Sequence, residues 1–411
     1  MSTTPSSLAR PSMDVDRSRD TPSRPAQAPA LRVVQLCLLR DAAERRPDDL
    51  LRAWPTTPLV AEAASDAGCQ VSVLQASAHR ETLVRLGVAH HFGPWDRREG
   101  LAADGALTAA LRRLRPDVLH LHGLHFPEEA LRLRRLMPEV PLLLQDHADR
   151  PPAAWRLDRW WTYRRAMAGA AALLFCAAEQ AAPWRHRRLL PSHANVIEVA
   201  ESSTRLAPMD RRGARSRLGV HGAPALLWVA HLDANKDPLT VLDGVARATA
   251  ALPDLRLWCC FRDAPLRQAV EERVRRDARL TGRVHLVGEV PHVQIAEWMS
   301  AADLFVGGSH REGSGYALIE ALACGLPPVV TDIPSHRMLT GRGAVGRLWP
   351  AGDSRALARS LAASWPADTR EQAQVREAVR HHFDRHLSRD ALGRALTAAY
   401  RAAHLAAGRS G

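Results

Sequence analysis

The chain has 411 residues, 46% of them hydrophobic, with a formal net charge of +12 and a pI near 10.6. That length exceeds what a single core ordinarily fills and allows two, which excludes a small module stapled by disulfides or metal. There is no apolar run of the roughly 18 residues that a spanning helix needs, and the first thirty residues lack the apolar centre of a secretory leader. A soluble chain kept in the cytoplasm is the expectation.

Residues 1–30, rich in Ser, Thr, Pro, Arg and Asp, cannot bury enough apolar surface to offset the entropy of ordering and read as a disordered tail. Leu31 to Leu39 is a continuous apolar run, so the spacing predicts a central strand. Trp54-Pro55-Thr56 opens a helix over Leu59–Ala67, and Cys69 to Leu74 is the next strand. A helix over Leu107–Leu114 leads into Pro116 to Gly123, where His120 and His122 fall on one face of a strand with His125 nearby. No Asp, Glu or Cys completes a metal shell there, so no metal site is expected.

Pro141 to Gln145 is a buried strand ending in Asp146-His147-Ala148-Asp149. The carboxyl end of a parallel strand is where reacting groups gather in open α/β sheets, which marks His147 as a candidate. Trp155, Trp160, Trp161 and Tyr163 then form an aromatic helix entry, read as core packing. Ala171–Cys176 and Val196–Val199 are the last strands of a first domain over 31–204, the second of them ended by Glu201-Ser202-Ser203. Residues 205–222, polar and basic with Pro208, Gly213 and Gly219, read as a linker.

The second domain, 223–375, opens with the strand Ala225–Val229 and runs through Ala230-His231-Leu232-Asp233-Ala234-Asn235-Lys236-Asp237-Pro238 into a helix over Leu239–Ala248. Lys236 is the only lysine among 56 cationic side chains. Where arginine is the default cation, a lone lysine marks a place that wants a compact ammonium, not a planar fork. Strands over Leu255–Phe261 and Val284–Val287 follow, the latter ending in Gly288-Glu289-Val290-Pro291. Asp303–Val306 is another, and the stretch Ser309 to Asp332 comes next. In it Glu312 adjoins a Gly313-Ser314-Gly315 turn, Glu320 sits inside the apolar run Ala317–Cys324, and Pro328–Thr331 is a strand. A turn and helix start at that edge of a parallel sheet favour phosphate. Glu320, a carboxylate among Leu, Ile and Ala, needs a partner, and ribose or sugar hydroxyls would serve. Helices over Asp353–Ala362 and Val375–Ala402 end the chain.

Two glutamates separated by seven residues, after a strand and around a small-residue turn, resemble the signature of retaining GT-B glycosyltransferases of the family 4 type. Pro116–Gly123 resembles that family's strand end with paired histidines, and Gly288–Pro291 resembles its glycine-proline turn. The resemblance implies two Rossmann-like α/β domains facing a cleft, with a terminal segment, 376–411, crossing back to the first. It implies sugar transfer from a nucleotide-sugar co-substrate, UDP- or GDP-linked, with retention and without metal or other cofactor. The acceptor, held by the first domain, would be a carbohydrate, a lipid-linked molecule or a small molecule. Lys236, with His231 assisting, would stabilise the departing diphosphate, and the amides of Gly313, Ser314, Gly315 and on to Leu318 would cradle the donor. Glu312 would bind the transferred sugar, Glu320 the ribose, and His147 would orient the sugar. The sequence departs from the family pattern in three places. His231 stands where an arginine is usual, Arg40-Asp41-Ala42-Ala43 where a glycine pair usually follows the first strand, and Arg262-Asp263-Ala264-Pro265 where a glycine-rich turn is usual. The first two departures motivate a second reading, a nucleotide-sugar-binding protein with reduced or lost catalysis. Charge alone motivates a third, a nucleic-acid binder, against which stand the even spread of arginines and the absence of a recognisable module. The same surplus charge suits peripheral attachment to anionic lipid at the inner face of a membrane.

Overall fold

A computed structural model describes residues 30–95, 101–102, 105–147, 150–152, 157–366 and 368–409. Residues 1–29 of the expected tail and Trp155 lie outside them. Among the described residues the strands form two sheets. The first takes β1 (Arg32–Cys37), β2 (Gln70–Ala76), β3 (Glu81–Arg85), β4 (Val88–Gly93), β5 (Val118–His122), β6 (Leu142–Gln145), β7 (Ala172–Phe175) and β8 (Val196–Glu198) in the order β3-β4-β2-β1-β5-β6-β7-β8. Every pairing is parallel except the β3–β4 hairpin at the edge. That hairpin departs from the sequence expectation, which had no strand there. It turns on Leu86-Gly87, both at positive φ, and its exposed face leaves Val84 uncovered, so no buried apolar run announced it.

The second sheet takes β9 (Ala225–Val229), β10 (Arg256–Cys260), β11 (Val284–Gly288), β12 (Leu304–Gly307), β13 (Pro328–Thr331) and β14 (Arg347–Trp349), all parallel, in the order β11-β10-β9-β12-β13-β14. The strands predicted from continuous apolar runs all form, because strands covered on both faces carry no alternation. In both sheets the order reverses direction once, between β1 and β5 and between β9 and β12, which is where open α/β sheets leave a crevice.

The segment read as a linker holds a helix, Arg211–Leu218. Asp210 caps it, and it packs on the helix Ile295–Ala301 of the second domain. Its arginines explain the polar composition: Arg211 and Arg215 both pair with the buried Asp303. At the end of the chain the helix Thr369–His386 packs on Tyr316–Ala323, while the helix Arg389–Gly408 packs on Thr56–Asp66 and touches β5. Glu62, fully buried in Thr56–Asp66, is ringed by Arg85, Arg205 and Arg389. A buried carboxylate needs such compensation, and here it ties the edge hairpin, the start of the connection and the last helix to one point.

All six cysteines are buried and unpaired, as their apolar surroundings in the sequence suggested.

Candidate active site

The second domain's share of the cleft begins where β12 ends. Gly308 is required there: a Cβ would sit 2.8 Å from the Lys236 carbonyl oxygen and 2.7 Å from the Val241 side chain. This close approach sets the segment after β12 against the turn after β9. His310 N–H donates to the Asn235 carbonyl at 2.8 Å, and the Asn235 amide donates to the Arg311 carbonyl at 3.0 Å. Asp237, left-handed at φ 52°, caps the helix Pro238–Ala248 through the Thr240 N–H. The backbone so shaped delivers Lys236 to Glu312. Lys236 Nζ donates to Glu312 Oε1 at 2.5 Å, and Ser309 Oγ donates to the same oxygen at 2.5 Å. The two charged side chains are only 18% and 16% exposed, so each is the other's main compensation.

Gly315, at φ 65°, starts the helix Tyr316–Ala323 without a side-chain cap. Of the first-turn N–H groups, that of Leu318 donates to the Gly315 carbonyl at 2.9 Å, which leaves those of Tyr316 and Ala317 for an anion. From the first domain, Gln180 spans to the turn and donates to the carbonyls of Glu312 at 3.0 Å and Gly313 at 3.1 Å. Glu320 is buried as expected, but its partner in the structure is protein. His292 Nε2 lies 2.5 Å from Glu320 Oε1. That hydrogen bond raises the His292 pKa above its ordinary value against the opposing effect of burial. The physical reason is the one that made Glu320 conspicuous: an apolar helix cannot leave a carboxylate unpaired.

His231 is half-exposed just after β9, its Nδ1 3.3 Å from the Asp263 backbone nitrogen and 3.4 Å from Asp263 Oδ2. His336 lies beneath Gly315 and Glu312. Its Nδ1 is 2.9 Å from the Thr331 carbonyl, and burial lowers its pKa although Glu312 pulls the other way.

The first domain contributes the carboxyl ends of β5 and β6 and the turn after β8. His147 Nδ1 is 2.6 Å from Glu201 Oε1, and His147 Nε2 is 3.1 Å from His122 Nδ1. His122 and His120 stack with ring centroids 4.3 Å apart, which confirms that they share a strand face. Behind them Tyr400, from the last helix, lies 2.8 Å from His120 Nδ1. Burial pushes the His120 pKa down to about 3, helped by the charge of His147. It holds His122 well below its ordinary value too, with His120 and His147 adding to the effect. No group of three His, Cys, Asp or Glu side chains arranged to hold a metal occurs among the described residues. Of the aromatic entry, Tyr163 is core, while Trp161 is 57% exposed.

These walls enclose a cavity of about 570 Å³ lined by His147, Glu201, His231, Lys236, Glu312, Gly313, Ser314, Gly315, Leu318 and Glu320, together with Arg262, His292 and His336. Every residue singled out from the sequence as a candidate therefore lies on one cavity. Glu201, His292, His336 and Gln180 were not singled out. Glu201 alone carried a signal, its place at the carboxyl end of a strand, the rule that marked His147.

Sequence comparison bears directly on this cavity. The profile described as Glycosyl transferases group 1 matches residues 223–365, and that described as Glycosyltransferase Family 4 matches residues 59–198. The chain belongs to the family 4, group 1 glycosyltransferases. It is 28% identical over 267 residues to a GDP-mannose:cellobiosyl-diphosphopolyprenol alpha-mannosyltransferase of Xanthomonas campestris, which spans 62% of this chain and 68% of that one. It is 28% identical over 180 residues to a D-inositol 3-phosphate glycosyltransferase of Thermobispora bispora, spanning 42% of each. Anabaena HepE, solved in complex with UDP and glucose, superposes with a TM-score of 0.60 at 16% identity, covering 90% of this chain and 98% of that one. The fold of this glycosyltransferase is therefore GT-B, two parallel-sheet α/β domains meeting at a cleft.

Proposed function

We propose that this glycosyltransferase moves a sugar from a nucleotide-sugar donor to an acceptor with retention at the anomeric carbon and without a metal. The observation that carries the reading is the Lys236–Glu312–Ser309 cluster beside an uncapped helix start, in a cavity that His147 enters from the other domain. Leaving-group charge is what a transferase must stabilise, and a compact ammonium next to unsatisfied N–H groups does so by position alone. Glu312 would then exchange part of its contact with Lys236 for hydroxyls of the transferred sugar, and Glu320 would bind the ribose in competition with His292. His231, on the same cavity as Lys236, would assist it at the diphosphate. Charge compensation is built from protein groups: Glu201, Glu312 and Glu320 are each already partnered by His147, Lys236 and His292.

GDP- and UDP-linked donors are the first to try, since the names of the Xanthomonas relative and of the HepE complex carry them. The same Xanthomonas name carries a lipid-linked acceptor. The surplus positive charge would bring this chain to such an acceptor on an anionic bilayer, and no helix among the described residues is long and apolar enough to cross one.

The test is a thermal-shift screen of the full chain against GDP-, UDP-, ADP- and TDP-sugars, with Lys236→Ala as control. Turnover with the selected donor is then followed by NMR of the product's anomeric proton, with and without EDTA and anionic vesicles. Stabilisation by one nucleotide class that Lys236→Ala abolishes, and an EDTA-insensitive product of unchanged anomeric configuration, are expected. A folded protein that no nucleotide sugar stabilises would overturn the reading.

A further inference from the structure

One wall of the cleft holds a row of polar side chains whose detailed arrangement sugar transfer does not require: Tyr400, Gln35, His120, His122, His147 and Glu201. Its hydrogen bonds fix where the protons are. The Tyr400 oxygen accepts from Gln35 Nε2–H at 3.3 Å and lies 2.8 Å from His120 Nδ1. Gln35 Oε1 is thereby turned to His122 Nε2 at 3.2 Å. An amide oxygen only accepts, so His122 carries its proton on Nε2. His122 is buried and neutral, which leaves its Nδ1 bare. His147 Nε2, 3.1 Å from it, must then be the donor. The other His147 nitrogen lies 2.6 Å from Glu201 Oε1, and a carboxylate also only accepts. Both His147 nitrogens bear a proton.

We propose that Glu201 and His122 are positioning residues that hold His147 as an imidazolium, its Nε2–H resting on His122 until an oxygen of the bound nucleotide sugar takes the hydrogen bond over. No proton changes owner in that exchange; only the acceptor does. The ligand half of this rests on the transfer reading above, whereas the charge of His147 does not. The imidazole is met by Glu201 from the turn after β8 and by His122 from β5, with His120 stacked behind His122. Lys236 and Glu312 look into the same cavity already paired with each other. Glu201, 2.6 Å from Nδ1, brings a carboxylate that favours the charge. A carboxylate in direct contact favours the protonated form of the ring.

The full chain labelled with ¹⁵N-histidine answers this directly by long-range ¹H–¹⁵N correlation, with His147 assigned through His147→Gln. At about pH 7.5 the wild type is expected to show both His147 nitrogens protonated, about a unit above the ordinary histidine midpoint near 6.5. Glu201→Gln is expected to return the ring to a neutral pattern at that pH. A neutral His147 in the wild type, a measurement that needs no variant to fold, would overturn the proposal. So would an imidazolium that survives in Glu201→Gln. The selected nucleotide sugar supplies a further readout: the alkaline limb of kcat/KM should move to lower pH by about a unit in Glu201→Gln. An imidazolium in a protein that binds no nucleotide sugar would leave the charge state standing and remove its ligand, so the two failures are distinguishable.

Discussion

The two walls of the cleft are built in opposite ways. The second-domain wall is compact in sequence: Ser309, Glu312, the glycine turn and Glu320 come from one strand, turn and helix, with Lys236 added by the turn after β9. The first-domain wall gathers Gln35, His122, His147, Glu201 and Tyr400 from five separate segments, the last of them on the helix that ends the chain. A wall made of one supersecondary unit fixes its chemistry by local geometry. A wall made of five depends on the whole domain being folded, and on the return of the last helix through the Glu62 cluster.

The contrast predicts where single changes hurt most. If Lys236 stabilises the departing diphosphate as proposed, Lys236→Ala should lower kcat by about 10²–10³, the scale of losing one preorganised donor. Lys236→Arg should restore little, because the 2.5 Å contact with Glu312 beneath a crowded glycine suits an ammonium and not a planar fork. Steady-state kinetics with the selected donor decides this. A loss under tenfold for Lys236→Ala would mean the local wall is not where the leaving group is held.

Tyr400→Phe probes the assembled wall. It removes one hydroxyl far along the chain and leaves His120 Nδ1 and Gln35 Nε2 without their partner in a buried place. Destabilisation of about 1–3 kcal/mol is expected, read from the denaturant midpoint, with a change in KM larger than the change in kcat. If neither stability nor KM moves, the row is not a continuous network and the first-domain wall is no more interdependent than the second.

The same contrast explains how much of the molecule was legible in its sequence. Strands covered on both faces show as unbroken apolar runs, and Glu312, Glu320 and Lys236 stood out because each violates its local background. His147 was legible from its place at a strand end. Glu201 obeys the same rule, yet a glutamate in a polar turn looks like any solvated acid until the fold brings His147 within 2.6 Å. Gln180, His292 and His336 could not be read at all. Their meaning lies in contacts across 132, 28 and 5 residues, to the glycine turn, to Glu320 and to the Thr331 carbonyl. The β3–β4 hairpin escaped for the complementary reason: one of its faces is open to water, so its apolar pattern is diluted.

The smallest effect expected is also the one that tests Glu320 without altering it. Its hydrogen bond raises the His292 pKa, so the pair stabilises the fold fully below the unfolded value near 6.5 and loses that contribution as pH rises through the raised folded value. His292 is more than half exposed, and solvent screening keeps the contribution below about 1 kcal/mol. Binding should show the opposite trend. A ribose hydroxyl that donates to Glu320 competes with the protonated imidazole, and deprotonation of His292 frees the carboxylate for it. Titration calorimetry between about pH 5.5 and 8.5 should therefore give a donor affinity that rises severalfold in the wild type and stays level in His292→Ala. A wild-type affinity indifferent to pH would place the ribose elsewhere in the cavity and leave Glu320 a structural partner of His292 alone.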